Sequence, residues 1–140
     1  MRANEIMTDD VVTIRATQSV ADALEVLAER GIRHLPVIGD GGRLVGMLSD
    51  RDIRSLGVTR VLSADQLAQL QGRLSATVAS AMSSNVATVA PETELTELID
   101  TMLEEGVGAI PVVDEESDTL VGIVSYVDVL RAVRSVAADI

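Results

Sequence analysis

Two serine–aspartate pairs are the residues best placed for chemistry. Residues 46–53 read GMLSDRDI and residues 122–129 read GIVSYVDV. Each stretch sets Ser and Asp three apart, Ser49 with Asp52 and Ser125 with Asp128, behind an apolar run opened by glycine. If the run is a strand and a helix follows, the Asp can accept both hydroxyls of a ribose. The Ser hydroxyl and the open helix amides then reach toward phosphate. The same residues also spell an ordinary helix N-cap, with Ser accepting an amide bond and Asp complementing the dipole, and that needs no ligand. Repetition of the whole phrase favours the binding chemistry. So do Gly46 and Gly122, because glycine inside a buried strand marks a place where something comes close to the backbone.

Composition removes most other chemistries. The 140 residues include no Cys and one His, His34, which excludes disulfides, thiol nucleophiles, Cys-ligated metals and a multi-His metal site. No nucleophile with a base partner and no Walker-type loop is present, so catalysis is not expected. All 11 basic residues are Arg, against 22 acidic ones, for a net charge of −11. Such a surface repels nucleic acid and anionic membrane at long range, so neither is expected as a partner. No run approaches about 18 apolar residues, and residues 1–10 carry no apolar run of signal-peptide length. A soluble cytoplasmic protein is the expectation. With no Phe or Trp and a single Tyr, Tyr126, the core must be aliphatic.

The elements that must position the pairs also come twice. Met7 falls on Met82, Thr13 on Thr88, Gly31 on Gly106 and Pro36 on Pro111 at one constant spacing; from Gly46 and Gly122 onward the spacing is one residue longer. Val11–Ile14 and Val86–Val89 read as short strands. Ser19–Arg30 and Glu94–Glu105 read as amphipathic helices, with Val20, Leu24 and Leu27 on one stripe and Leu95, Ile99 and Met102 on the other. Ser19 with Asp22 forms a capping box, and Gly31 and Gly106 stop the two helices. LPVI and IPVV are second strands, whose prolines lack a donor and are expected near a strand start or edge. LVGML and LVGIV are third strands, followed by helices over Asp50–Leu56, halted by Gly57, and Tyr126–Val136. Between the repeats, a Ser63/Gln66 capping box with Leu67, Leu70 and Leu74 predicts a helix over Ser63–Leu74, either packed on its own domain or part of a subunit interface.

In order and twice over, IMTDDVVTI, ALEVLAERGIRHLPVI and LVGMLSDRDI, then AMSSNVATVAP, GAIPVV and LVGIVSYVDV, resemble a tandem pair of CBS domains, the arrangement called a Bateman module. The resemblance divides the chain into repeat 1 (1–57), a connector (58–78) and repeat 2 (79–140). It implies an α+β fold of two β-α-β-β-α repeats packed about a pseudo-two-fold axis. It implies two inter-repeat clefts of the kind that hold AMP, ADP, ATP, NAD or S-adenosylmethionine as a regulatory ligand, with no cofactor required. Such modules often pair into a homodimeric disk and act as sensors regulating another protein, which the sequence does not identify. The competing reading is a ligand-free dimerisation or scaffold module.

Carried over by position, Asp52 and Asp128 match the ribose-binding Asp, and Ser49 and Ser125 the hydroxyl of the same motif. Thr13 and Thr88 match cleft-facing positions, and Pro36 and Pro111 lie in the matching second strands. Met47, Leu48, Ile123 and Val124 would wall the base, although Met47 also suits a core. Arg33, His34 and Arg51 match phosphate-facing positions. Their simpler readings are a strand-edge histidine beside Arg33, and an Arg51 paired with Asp50. A His34 titrating near pH 6–7 would tighten phosphate binding on protonation. Tyr126 either stacks on a base or lies exposed in the first helical turn. In repeat 2 these basic positions become Gly108, Ala109 and Val127, so the two sites are expected to be unequal.

Overall fold

The structure is a computed structural model that describes residues 1–54 and 64–138. In chain order the elements are α1 (Ala3–Ile6), β1 (Ile14–Arg15), α2 (Val20–Arg30), β2 (His34–Ile38), β3 (Leu44–Ser49) and α3 (Asp50–Arg54), then α4 (Ala64–Ser75) and α5 (Val78–Ala81). They continue with α6 (Leu95–Glu105), β4 (Ala109–Val113), β5 (Leu120–Ser125) and α7 (Tyr126–Ala137). This is the α+β class and repeated order expected. Among the described residues no helix is long and apolar enough to cross a membrane.

The chain forms two compact units. One, the Asp52 unit, comprises Val12–Asp40 and Leu44–Val86; the other, the Asp128 unit, comprises Met1–Val11, Gly41–Arg43 and Ala87–Ile140. Each unit thus combines the strands and helices of one repeat with the leading segment of the other.

In the Asp52 unit the sheet order is β1-β2-β3, with β1 parallel and β3 antiparallel to β2. β1 is shorter than the expected Val11–Ile14 and shifted toward Arg15, because it meets β2 only opposite its last residues, Val37 and Ile38. Helix α2 has the predicted ends. Ser19 Oγ accepts from Asp22 N at 3.1 Å, and Gly31 closes the helix in the left-handed region at φ 62. Its inward stripe adds Ala23 to Val20 and Leu27, all buried, with Leu24 half-buried beside them. The core joins Ala23 and Leu27 to Leu35, Val37 and Leu48 of the sheet and Val78 of α5. Backbone bonds tie the leading turn of α5 to the loop before α2: Val78 N donates to Gln18 O at 2.7 Å and Ala79 N to Ala16 O at 3.1 Å. Helix α4 packs on α2. Its expected cap, Ser63, lies outside the described residues, as do the Leu56 end and Gly57 stop of α3.

In the Asp128 unit β4 and β5 form an antiparallel pair with Val112 opposite Gly122. The expected strand Val86–Val89 reduces to one parallel bridge, Val89 to Val112. Helix α6 ends on Gly106 at φ 65 and buries Leu98 and Met102. The leading segment docks by backbone bonds: Ala3 N donates to Thr93 O at 2.8 Å and Leu95 N to Met1 O at 2.8 Å. Pro111 sits in the middle of β4, not at its start. It contributes only its carbonyl to the ladder, accepting from Val89 N at 3.1 Å, while Val113 supplies the donor back to Val89 O at 2.9 Å. Pro36 takes the same third place in β2.

Candidate ligand-binding site

Both serine–aspartate pairs stand where a strand becomes a helix, Ser49 ending β3 and Ser125 ending β5. Each forms a complete capping box. Asp52 Oδ2 accepts from Ser49 N at 2.8 Å and from Ser49 Oγ at 3.1 Å, and Asp52 N donates back to Ser49 Oγ at 3.2 Å. Asp128 Oδ2 accepts from Ser125 N at 2.9 Å and Ser125 Oγ at 3.0 Å, with Asp128 N donating to Ser125 Oγ at 3.3 Å. The capping reading is therefore realised in full. Oδ2 of each Asp accepts two bonds from its serine, and the third bond of each box comes from the Asp backbone amide. A half-buried carboxylate held by its cap at a helix start is a group of the chemical kind that accepts hydroxyls.

The glycines have another explanation than the expected ligand approach. A Cβ added at Gly46 would collide with Met82 Sδ and come within 2.9 Å of Ser83 O; one at Gly122 would collide with Met7 Sδ and reach Met7 Cγ at 2.9 Å. What comes close to each backbone is a methionine of the leading segment. Met47 is bridged to Ser83, and Ile123 to Thr8, by paired backbone hydrogen bonds of 2.9–3.0 Å. Sequence reasoning used Met7 and Met82 only to align the repeats. It missed Thr8 and Ser83, although the same alignment places them as equivalents.

The expected site residues separate by burial. Leu48 and Val124 are fully buried and belong to the two cores, so they do not wall a ligand. Side chains alternate across a strand, so Met47 and Leu48 cannot face the same way, nor can Ile123 and Val124. Met47 retains 8 % exposure and Ile123 is half-buried. Pro36 and Pro111 are likewise fully buried, and structural. Thr13 is half-buried ahead of β1, and Thr88 is exposed ahead of the Val89 bridge.

Around Asp52 the structure gathers charge. His34 pairs with Ser49 across β2 and β3, Arg33 O accepts from Asp50 N at 2.9 Å, and Arg33 and Arg51 are exposed. Burial holds the His34 imidazole below its ordinary pKa, and Arg33 pushes the same way, against the opposing pull of Asp52 and Asp50. His34 therefore takes up a proton less readily than an ordinary imidazole. Around Asp128 the equivalent positions are uncharged: Ala109 pairs with Ser125, Gly108 O accepts from Tyr126 N at 2.9 Å, and Val127 is exposed. Tyr126 is 51 % exposed at the start of α7.

The family model for the CBS domain matches residues 3–58 and 78–135. The chain is similar to CBSX2 of Arabidopsis thaliana, solved in complex with AMP, at 28% identity and TM-score 0.81, over 97% of this chain and 98% of that one. It is similar to the CBS domain pair of protein MJ0100, solved with 5′-methylthioadenosine and S-adenosyl-L-methionine, at 26% identity and TM-score 0.76, over 96% and 97% of the two chains. Among curated relatives, a homoserine O-acetyltransferase of Methanohalobium evestigatum is 27% identical over 94% of this chain, which spans only 24% of that protein's length.

Proposed function

The chain belongs to the CBS-domain family, and from that premise we propose that it is a regulatory module that binds an adenosine-containing ligand and carries no chemistry of its own. One observation carries this reading. Asp52 and Asp128 are each held by a capping box through Oδ2 at the junction of a strand and a helix, in matching places of the two repeats. Sugar hydroxyls are donors that such a carboxylate suits.

The two sites are proposed to take different ends of the ligand range. Arg33 and Arg51 flank Asp52, so a nucleotide phosphate of AMP, ADP, ATP or NAD is accommodated there. Around Asp128, Gly108, Ala109 and Val127 supply no cation, which suits a nucleoside without phosphate, such as the adenosine part of S-adenosylmethionine. Helix α7 exposes Tyr126, Leu130 and Val133 along one face, and a homodimer formed through that face is the assembly we propose. Ligand binding would act on another protein by favouring one conformation over another, which demands different affinities for the two.

Thermal unfolding of the full chain with AMP, ADP, ATP, NAD and S-adenosylmethionine tests the reading. A ligand at 100 times its Kd adds about 2.7 kcal/mol, a rise of roughly 5–10 °C for a chain this size. No shift with any of the five would leave the ligand-free scaffold as the better account, since the capping boxes are complete by themselves.

A further inference from the structure

Five methionines hold all the sulfur in the chain, because there is no cysteine. They sort by exposure. Met1 is exposed, Met47 and Met102 are buried at 8 % each, and Met7 and Met82 are half-buried. The last two occupy equivalent places. Met7 follows α1 and Met82 follows α5, each at the C-cap of its short helix. Each sets its sulfur against a strand glycine, Met82 on Gly46 and Met7 on Gly122. Each is followed by the residue that fixes the leading segment to the strand through two backbone bonds. Ser83 is bridged to Met47 at 2.9 and 2.9 Å, and Thr8 to Ile123 at 2.9 and 3.0 Å.

A thioether suits such a seat because it is apolar and adaptable and needs no hydrogen bond. A sulfoxide does not, since it is polar and chiral and adds an acceptor oxygen. At the Gly46 seat the neighbouring polar atom is another acceptor, Ser83 O, 2.9 Å from where a Cβ would stand. The amides of the bridge, Met47 N and Ser83 N, already donate within it. An oxygen on the Met82 sulfur has neither room nor a bridge donor on the glycine side.

We propose that Met7 and Met82 are a matched pair of oxidation sites, at which peroxide converts the thioether to a sulfoxide and loosens the leading segment from its strand. A sulfur lone pair takes one oxygen of hydrogen peroxide as the O–O bond breaks. The sulfur is oxidised by two electrons, and the departing hydroxide takes the proton of the transferred oxygen and leaves as water. No thiol in the chain competes for the oxidant. The inference is independent of what the Asp52 and Asp128 sites bind.

The test treats the full chain with graded hydrogen peroxide. Peptide mass spectrometry reads the oxidation of each methionine, beside the thermal midpoint and the deuterium uptake of the bridge amides at Met47, Ser83, Thr8 and Ile123. Met1 oxidises first, Met7 and Met82 next, and Met47 and Met102 last. As Met7 and Met82 oxidise, the midpoint falls by roughly 3–10 °C and the bridge amides exchange about tenfold faster. Methionine sulfoxide reductases of both epimer specificities reverse these changes. In a chain carrying Met7→Leu and Met82→Leu, a volume-conserving exchange, the same peroxide dose leaves the midpoint unchanged. The reductase arm uses the unmutated chain, so the test stands where the leucine variant folds poorly. Met7 and Met82 that stay reduced until Met47 and Met102 oxidise overturn the proposal. So does a chain oxidised at both positions whose midpoint and bridge-amide exchange are unaltered.

Discussion

Met82 lies against Gly46 so closely that no side chain fits between them. A Cβ there would strike the thioether sulfur and come within 2.9 Å of the carbonyl oxygen of Ser83. Met7 stands over Gly122 in the same way. The glycine that opens each serine–aspartate phrase is thus a seat for a methionine from the leading segment of the other repeat. Placement of the serine–aspartate pair and docking of that segment are one packing problem.

Gly46→Ala and Gly122→Ala therefore destabilise, by about 1–3 kcal/mol each, as overpacked core positions do. The two differ in what can relieve them. At Gly122 every close atom belongs to the Met7 side chain, so Met7→Ala added to Gly122→Ala recovers part of the loss. At Gly46 one close atom is backbone, Ser83 O, so Met82→Ala recovers less. Urea unfolding of the four variants measures both effects, and a Gly46→Ala chain as stable as the unmutated one contradicts the packing described.

Asp52 and Asp128 each serve a cap and, as proposed, a sugar, and substitution separates the two. Asn keeps an acceptor for the Ser49 or Ser125 amide, so Asp52→Asn and Asp128→Asn cost at most about 1 kcal/mol, near the low end for a lost cap. Loss of a charged acceptor weakens nucleoside binding by about ten- to a hundredfold at the affected site. Ser49→Ala and Ser125→Ala do the reverse on stability, losing about 0.5–2 kcal/mol through the cap. Parallel titration and denaturation resolve these. Affinity that follows stability across all four variants would assign the carboxylates to capping alone.

His34 gives the fold a pH dependence of known sign. Its pKa is lowered on folding, chiefly by burial. Below the ordinary value of 6.5 the unfolded chain takes up a proton that the folded chain resists. The unfolded state then binds more protons, so stability falls as pH drops from about 6.5 toward the depressed folded pKa and is constant above that window. The carboxylates contribute their own trend, so the quantity to measure is the difference between the unmutated chain and His34→Gln in urea midpoint from pH 5 to 8. That difference shifts against the unmutated chain as pH falls. A shift in its favour on acidification would mean that Asp50 and Asp52 outweigh burial.

Much of the architecture was legible because local signals agreed with one another. Ser19/Asp22 and Gly31 bracket α2 as read, and Gly106 ends α6 in the left-handed region. The first strands were overread. Val11–Ile14 and Val86–Val89 have strand composition, yet composition does not say where a partner lies, and the ladder begins only at Ile14 and Val89. The site was half legible. Ser49/Asp52 and Ser125/Asp128 stand out because their bonds are local. Ser83 and Thr8 do not, because what places them is a backbone bridge to a distant strand. Leu48 and Val124 were assigned to a ligand wall that strand alternation already gave to the core.

Helix α7 carries the last prediction. Its inward face is anchored by Ala132, buried, while Leu130 is 62% exposed and Tyr126 and Val133 lie on the same side at helical spacing. Three large apolar residues on one face cost little in an isolated chain but are a ready surface for a second copy, whose equivalent face would remove them from water at about 25 cal/mol per Å². Leu130→Glu places two like charges at the centre of such a pairing and leaves the monomer's stability within about 0.5 kcal/mol, as exposed substitutions do. Light scattering with size-exclusion chromatography should find the unmutated chain dimeric and Leu130→Glu monomeric. A dimer that survives Leu130→Glu places the pairing on another face, and an unmutated chain that is monomeric at high concentration removes the proposed assembly.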